Sequence, residues 1–295
     1  MNKPYLYQAF GFVIRSEFRI AQLPAADESA EVDIMFCRNN LTSYNLKENH
    51  YRFVQRELLF SISEVATFHV VDGSCVEVDP DEKCSESVLG VYLMGSCMGA
   101  VLHQRGFMPL HGSCVTNGVH AVLITGDSGA GKSTLAAEFL KQGWKLLTDD
   151  VAAVSDAEAI PMVRSSYPSQ KLWQDALTRY DRPEEDIHSL YFTENRQKFG
   201  VNVAEYFLNG EAPLSMIVRL LPTGEPCSIS PIEGIVKIDQ LMYNTYRIFM
   251  VPPEQRERHF RRCAAIAERV PMMLLTRQEG AQCAEQLYSL VVDHL

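Results

Sequence analysis

The chain has 295 residues, 46% of them hydrophobic and 22% charged, with a formal net charge of −10. That length and apolar content suit one large or two smaller globular domains around a substantial core. The acidic balance argues against a nucleic-acid partner, which usually demands a basic face to displace counterions from phosphates.

No segment near the start joins a basic stretch to an apolar one. The longest apolar run, Val88 to Leu102, is broken by Gly and Ser and falls short of the ~20 residues that span a bilayer. A soluble, cytoplasmic protein with no membrane partner is expected; a homo-oligomer is left open. The eight cysteines contain no C-x-x-C pair, so they read as small apolar fillers in a reducing compartment.

From Tyr5 to Pro80 the chain reads mainly as strands. Phe10–Ile14, Val32–Phe36 and Tyr51–Val54 are rich in β-branched and aromatic residues and are separated by polar turns. Ala66–Val71 and Ser74–Val78 flank Asp72-Gly73, a dipeptide suited to a tight hairpin turn. His69, inside that hairpin, has no neighbouring ligand candidate and reads as a packed histidine. At Ser85 the period changes. Leu89, Tyr92, Leu93, Cys97, Met98, Val101 and Leu102 recur at helical spacing, and Gly106 ends the helix. The boundary between a β-rich N-terminal module, residues 1–85, and a larger domain, residues 86–295, is placed here.

Met108–Val115 follows as a strand with His111 at its polar end, then the turn Asn117-Gly118 and the apolar strand Ala121–Thr125. That strand runs into Gly126-Asp127-Ser128-Gly129-Ala130-Gly131-Lys132-Ser133-Thr134 and then the helix Leu135–Leu140. Strand, loop and helix in this order are the context of a phosphate-binding loop. The glycines let backbone N–H groups turn inward on phosphate oxygens. The positive end of the helix and Lys132 add charge for the β and γ phosphates, and the Ser133 hydroxyl is placed for Mg²⁺. A bound nucleoside triphosphate on an α/β P-loop fold is expected.

Lys145–Thr148 reads as a strand that delivers Asp149 and Asp150 to its C-terminal end, the edge where open α/β sheets hold ligands. Side chains alternate along an extended chain, so the two carboxylates are expected on opposite sides. One would reach Mg²⁺; the other would take a proton from an attacking hydroxyl or hold the first in place. His111 is a candidate to steady an acid or touch a phosphate.

Beyond Val154, Tyr167–Trp173 leads into a short helix at 175–180 and a charged turn at 182–186. Glu194–Gly200 reads as a basic loop whose Arg196 and Lys198 can neutralise a phosphoryl group in transfer, with Arg164 and Lys171 as further candidates. Strands at Leu214–Leu221, Cys227–Ile232 and Met272–Thr276 and helices at Lys237–Phe249, Pro253–Arg269 and Glu279–Leu295 complete the chain. No His-Glu-x-x-His, G-x-S-x-G or protein-kinase signature is present.

Pro109-Leu110-His111-Gly112-Ser113, the loop at Gly126–Thr134 and Leu147-Thr148-Asp149-Asp150 together resemble the catalytic domain of the bacterial HPr kinase/phosphorylase family. The resemblance covers Pro109 to Val154. It implies a P-loop core similar to that of phosphoenolpyruvate carboxykinase, and phosphorylation of a protein serine with ATP and Mg²⁺. It further implies that His111 takes the family's histidine position, Lys132 and Ser133 its phosphate and Mg²⁺ contacts, Asp149 the general base and Asp150 the metal-side acid. The family's downstream Leu-Glu-x-Arg-Gly signature is not present, and Tyr167-Pro168-x-x-Lys171-Leu172-Trp173 follows the loop. In this short format the chain is more similar to HPr-kinase-like proteins that accompany ribosomally made peptides, kinases of lasso-peptide precursors among them. The expected function is therefore phosphorylation of a serine on a peptide or small protein. A small-molecule kinase and a nucleotide-sensing module without transfer are the alternatives.

Overall fold

The computed structural model describes the backbone of residues 3–157, 159–173, 187–193, 196–280 and 282–295, and their side chains except at 54, 173, 187–193 and 196–198. The first seven strands are β1 (Tyr5–Ala9), β2 (Phe12–Ser16), β3 (Ile34–Arg38), β4 (Tyr51–Val54), β5 (Glu57–Ile62), β6 (Ala66–Val71) and β7 (Cys75–Pro80). They form one sheet in the order β1-β2-β3-β7-β6-β5-β4, with β3 parallel to both its neighbours. Asp72 and Gly73 turn the β6–β7 hairpin at φ 46° and 65°, the positive values that match its twist. Phe10 and Gly11 do not begin a strand as expected: at φ 55° and 71° they form the turn between β1 and β2. Strand β5 was not anticipated, because Leu58, Leu59, Phe60 and Ser61 are all buried and the run carries no alternation of apolar and polar residues. His69 on β6 is clamped between two carboxylates, with Nδ1 2.8 Å from Glu77 and Nε2 3.0 Å from Glu57.

Helix α1 (Glu86–Tyr92), a π turn (Leu93–Cys97) and α2 (Met98–Gln104) follow as one helical stretch where the sequence indicated a single helix. The Ser85 hydroxyl accepts from the Val88 N–H and caps its start. Leu93, Met98, Val101 and Leu102 share a core with Ile14, Phe36, Phe68 and Val76 of the first sheet, and with Val151 and Ala153 further along the chain. Side chains of this size each contribute roughly 1.5–3 kcal/mol when fully buried.

The strands that follow are β8 (Met108–Thr116), β9 (Ala121–Thr125), β10 (Lys145–Ser155), β11 (Met162–Arg164), β12 (Ser169–Trp173), β13 (Ile187–Thr193), β14 (Arg196–Asn202), β15 (Glu211–Thr223), β16 (Ser228–Pro231) and β17 (Met272–Gln278). The helices among them are α3 (Lys132–Lys141), α4 (Ile235–Tyr243), α5 (Arg256–Arg269) and α6 (Ala284–Val292). A second sheet runs β11-β10-β8-β9-β15-β17-β16, and β12, β14 and β13 make a third. Strand β15 is parallel to β9 and to β17. Strand β8 is antiparallel to both β9 and β10, so those two point the same way with β8 between them, and α3 connects them. The whole is a mixed α/β protein.

Three further expectations change. Arg196–Asn202 is strand β14 and not a loop, because pairing with β12 and β13 supplies backbone partners that its polar side chains did not announce. Helix α4 ends at Tyr243, since Thr245 bridges to Leu110 and Arg247 takes φ 51°. Strand β10 does not stop at Thr148 but runs to Ser155, so Asp149 and Asp150 lie inside a strand and not at its end. The expected helix at 175–180 and turn at 182–186 lie outside the described residues. Among the described residues, no helix is long and apolar enough to cross a membrane.

Candidate active site

Strand β9 is buried throughout and leads directly into Gly126. Gly126 has φ 138°, and a Cβ there would stand 2.4 Å from the Leu220 carbonyl oxygen, so only glycine fits where the loop leaves the sheet. Helix α3 begins at Lys132, directly after Gly131 at φ 105°. The Lys132 ammonium donates to the carbonyls of Gly126 at 2.8 Å and Asp127 at 3.1 Å. From the end of β17, Arg277 Nε donates to the Ala130 carbonyl at 2.7 Å. The Tyr243 hydroxyl, at the end of α4, donates to the Asp127 carboxylate at 2.8 Å. Ser128 is exposed, and Ser133 and Thr134 stand in the first turn of α3.

Asp149 is 5% exposed and sits opposite Ser113 in the β10–β8 register. Its carboxylate accepts from the Ser113 hydroxyl, from the Ser133 hydroxyl at 3.1 Å, and from the Lys171 backbone N–H at 2.6 Å. Gln170 on β12 anchors the same corner, donating to the Ser133 carbonyl at 2.9 Å. The acid beside Ser133 is thus Asp149 and not Asp150, the one expected there.

Asp150 pairs with the Lys171 ammonium at 2.6 Å and lies 3.4 Å from His111 Nδ1. That nitrogen is also 3.0 Å from the Asp150 carbonyl oxygen, which assigns its proton to the Nδ1 side of the ring. The two acids do not diverge as alternation predicts. Asp150 has φ 111°, outside the range of extended backbone, and both carboxylates converge on Lys171. A non-glycine residue held there costs on the order of 1–3 kcal/mol, a strain that clusters at functional sites. Burial alone would lower the Lys171 ammonium, but Asp150, joined by Tyr167 and Tyr246, outweighs that and holds it above the ordinary lysine range. Burial, and then the Asp150 charge, push the Tyr246 phenol up to about 12. The Tyr246 ring lies 6.0 Å from that of His111.

The structure therefore gathers His111, Lys132, Ser133, Asp149, Asp150 and Lys171. Arg164 lies elsewhere, with its guanidinium over the rings of Phe12 and Phe107 and 3.7 Å from Glu211. Arg196 and Lys198 lie on β14, with side chains outside the described residues. Sequence reasoning passed over Ser113, Gln170, Tyr243, Tyr246 and Arg277. Two of these carried a signal: Ser113 is two residues from His111 on one strand, hence on one face, and Arg277 closes a strand parallel to β9 at its ligand-bearing end.

A glycine-rich loop at a helix start, with a hydroxyl and a carboxylate beside it on a mixed α/β scaffold, has the chemistry that suits an anion and a hard cation. No protein-family model matches the chain. Over 56 residues it is 43% identical to an HPr kinase/phosphorylase of Clostridium beijerinckii, a stretch covering 19% of this chain and 18% of that protein. Over 58 residues it is 38% identical to an HPr kinase/phosphorylase of Clostridium acetobutylicum, covering 20% and 19%. The chain thus spans less than a fifth of the length of the curated relatives it matches. The solved structure of the Hpr(Ser) kinase/phosphatase from Coxiella burnetii aligns with 63% of this chain and 89% of its own at 14% identity, with a TM-score of 0.34, too low to establish a common fold.

Proposed function

We propose that this protein is an ATP- and Mg²⁺-dependent kinase that phosphorylates a serine hydroxyl of a peptide or small protein. The observation that carries the reading is the contact of Asp149 with the hydroxyl of Ser133, the residue after the loop lysine. A serine hydroxyl and a carboxylate are hard oxygen donors of the kind Mg²⁺ takes together with phosphate oxygens. Bound there, Mg²⁺ would offset charge on the phosphoryl group.

In this reading the loop N–H groups from Gly126 to Thr134 and the Lys132 ammonium hold the β and γ phosphates, while Arg277 keeps the loop in shape through the Ala130 carbonyl. The roles of the two acids are exchanged relative to the sequence expectation, with Asp149 on the metal side and Asp150 on the acceptor side. The serine oxygen attacks the γ phosphorus, the bond to the β-phosphate oxygen breaks, and ADP leaves. The hydroxyl proton passes to the Asp150–His111 pair, in which Asp150 fixes the orientation of the ring. Lys171 holds both carboxylates in register. Arg196 and Lys198 belong to the same proposal as cations for the group in transfer, as do a kinase domain at 86–295 and an acceptor-holding module at 1–85. Precursors of ribosomally made peptides, lasso peptides included, are the acceptor class the sequence resemblance favours.

The test is radiolabelled ATP with Mg²⁺ and the purified protein, offered serine peptides, small alcohols or no acceptor. Label on a peptide serine is expected. Label on small alcohols alone, or ADP formed by neither, would overturn the reading.

A further inference from the structure

A cavity of about 470 Å³ opens where β4, β5, α2, the Met250–Gln255 turn and α5 meet. Arg56, Arg105, Arg258 and Arg262 line it, and among the described residues no Asp or Glu does, in a chain whose net charge is −10. Two of these arginines are fixed in the wall. Arg105 donates to the Gly73 carbonyl at 2.6 Å and lies 4.5 Å from the centre of the Phe12 ring. Arg262 contacts Asp156 at 2.5 and 3.1 Å and donates to the Phe107 carbonyl at 3.2 Å. The other two, Arg56 and Arg258, are exposed at the rim. The ion pair of Arg56 with Asp72 is 4.0 Å long with both side chains about two-thirds exposed, at 66% and 64%, a geometry that holds an arginine only weakly.

Two features tie this cavity to the candidate active site and to a polypeptide. His103 in its wall bonds the Tyr246 carbonyl at 3.1 Å, and the Tyr246 ring is the neighbour of His111. From Tyr246 to Met250 of the lining is four residues, at most roughly 14 Å of extended chain. Beside the opening, Tyr51 and Phe249 are 49% and 37% exposed with ring centres 5.1 Å apart, apolar surface that a single small anion would leave uncovered.

We infer that this arginine-lined cavity binds an acidic segment of the acceptor polypeptide, its carboxylates at Arg56 and Arg258 and an apolar side chain on Tyr51 and Phe249. The inference rests on the kinase reading for its acceptor, and on charge complementarity for the choice of ligand.

Binding is measured without nucleotide, by fluorescence anisotropy of a labelled peptide of alternating glutamate and glycine on the full-length protein. Its glutamine counterpart and inorganic phosphate serve as comparison and competitor. Saturable binding of the glutamate peptide is expected, weakened by salt and by about tenfold or more in the double variant Arg56→Glu/Arg258→Glu. Equal binding of the glutamine peptide, or of the double variant, overturns the assignment. Displacement by phosphate as readily as by unlabelled peptide makes the cavity a small-anion site and overturns it as well. Because no phosphate is transferred in this assay, loss of the kinase reading alone leaves its result standing. Phosphorylation of serine peptides with and without glutamates at the same KM keeps the kinase and removes the docking site.

Discussion

Each of the two large sheets carries a histidine set among charged groups, and the two clusters are built to opposite ends. On the first sheet both ring nitrogens of His69 face carboxylates, and its side chain is 5% exposed. Every polar atom of the ring is satisfied within the fold, which is what a structural tie needs. On the second sheet His111 is 37% exposed, and its partner Asp150 is pinned by Lys171 on a backbone at positive φ. That cluster holds its carboxylates in place beside a partly exposed imidazole, an arrangement suited to moving a proton. A histidine between acids is therefore diagnostic only together with its exposure and with what else the acids touch.

The largest effect is expected at the loop. Lys132→Ala is expected to lower phosphate transfer by roughly a thousandfold or more with the thermal midpoint little changed, since the lost charge acts on the phosphates. Transfer that survives this change would reduce the second cluster to a structural one like the first. Next in size, Asp150→Asn is expected to lower kcat by about a hundredfold while nucleotide still binds, and Asp149→Asn to weaken the Mg²⁺ dependence instead. The reverse pattern in Mg²⁺ titrations would restore the roles the sequence resemblance implied.

Smaller effects test the structural side. His69→Leu removes the partner of two carboxylates and should lower unfolding free energy by about 1–3 kcal/mol in denaturant titrations, leaving kcat/KM unchanged. Burial lowers His103 to about 4 and also lowers His259, with Arg262 adding to the effect. Their imidazoles stay neutral in the fold, whereas the unfolded chain takes up protons below about pH 6.5. The unfolded state binds more protons in that window, so stability is present above it and is lost as pH falls from about 6.5 toward about 4. The loss is at most about 1.4 kcal/mol per pH unit for each histidine. Thermal midpoints measured across this range should show a shallower slope in His103→Gln.

The loop, the histidine before it and the acid pair after it were legible in sequence because their chemistry is local. The glycine spacing dictates the turn, and alternation along β8 places His111 and Ser113 on one face. What the sequence did not reveal lies across long separations. Lys171 reaches Asp149 and Asp150 from β12, Tyr246 arrives from beyond α4, and the reversal of Asp150 is a backbone state that neither propensity nor period encodes. Strand β14 was hidden by polar residues whose backbone pairing, on both sides, decided the matter. The acids lie in mid-strand because β10 continues along β8 as far as Met108, a pairing that depends on which strand comes to lie beside it.

The core shared by the first sheet and α1–α2 extends to Val151, the residue after Asp150. Made from the N-terminus, the first sheet must wait for roughly seventy more residues before that contact can close, and contacts of such separation form slowly. The residue beside the acid pair is therefore seated only once the first sheet, the α1–α2 stretch and β10 have come together.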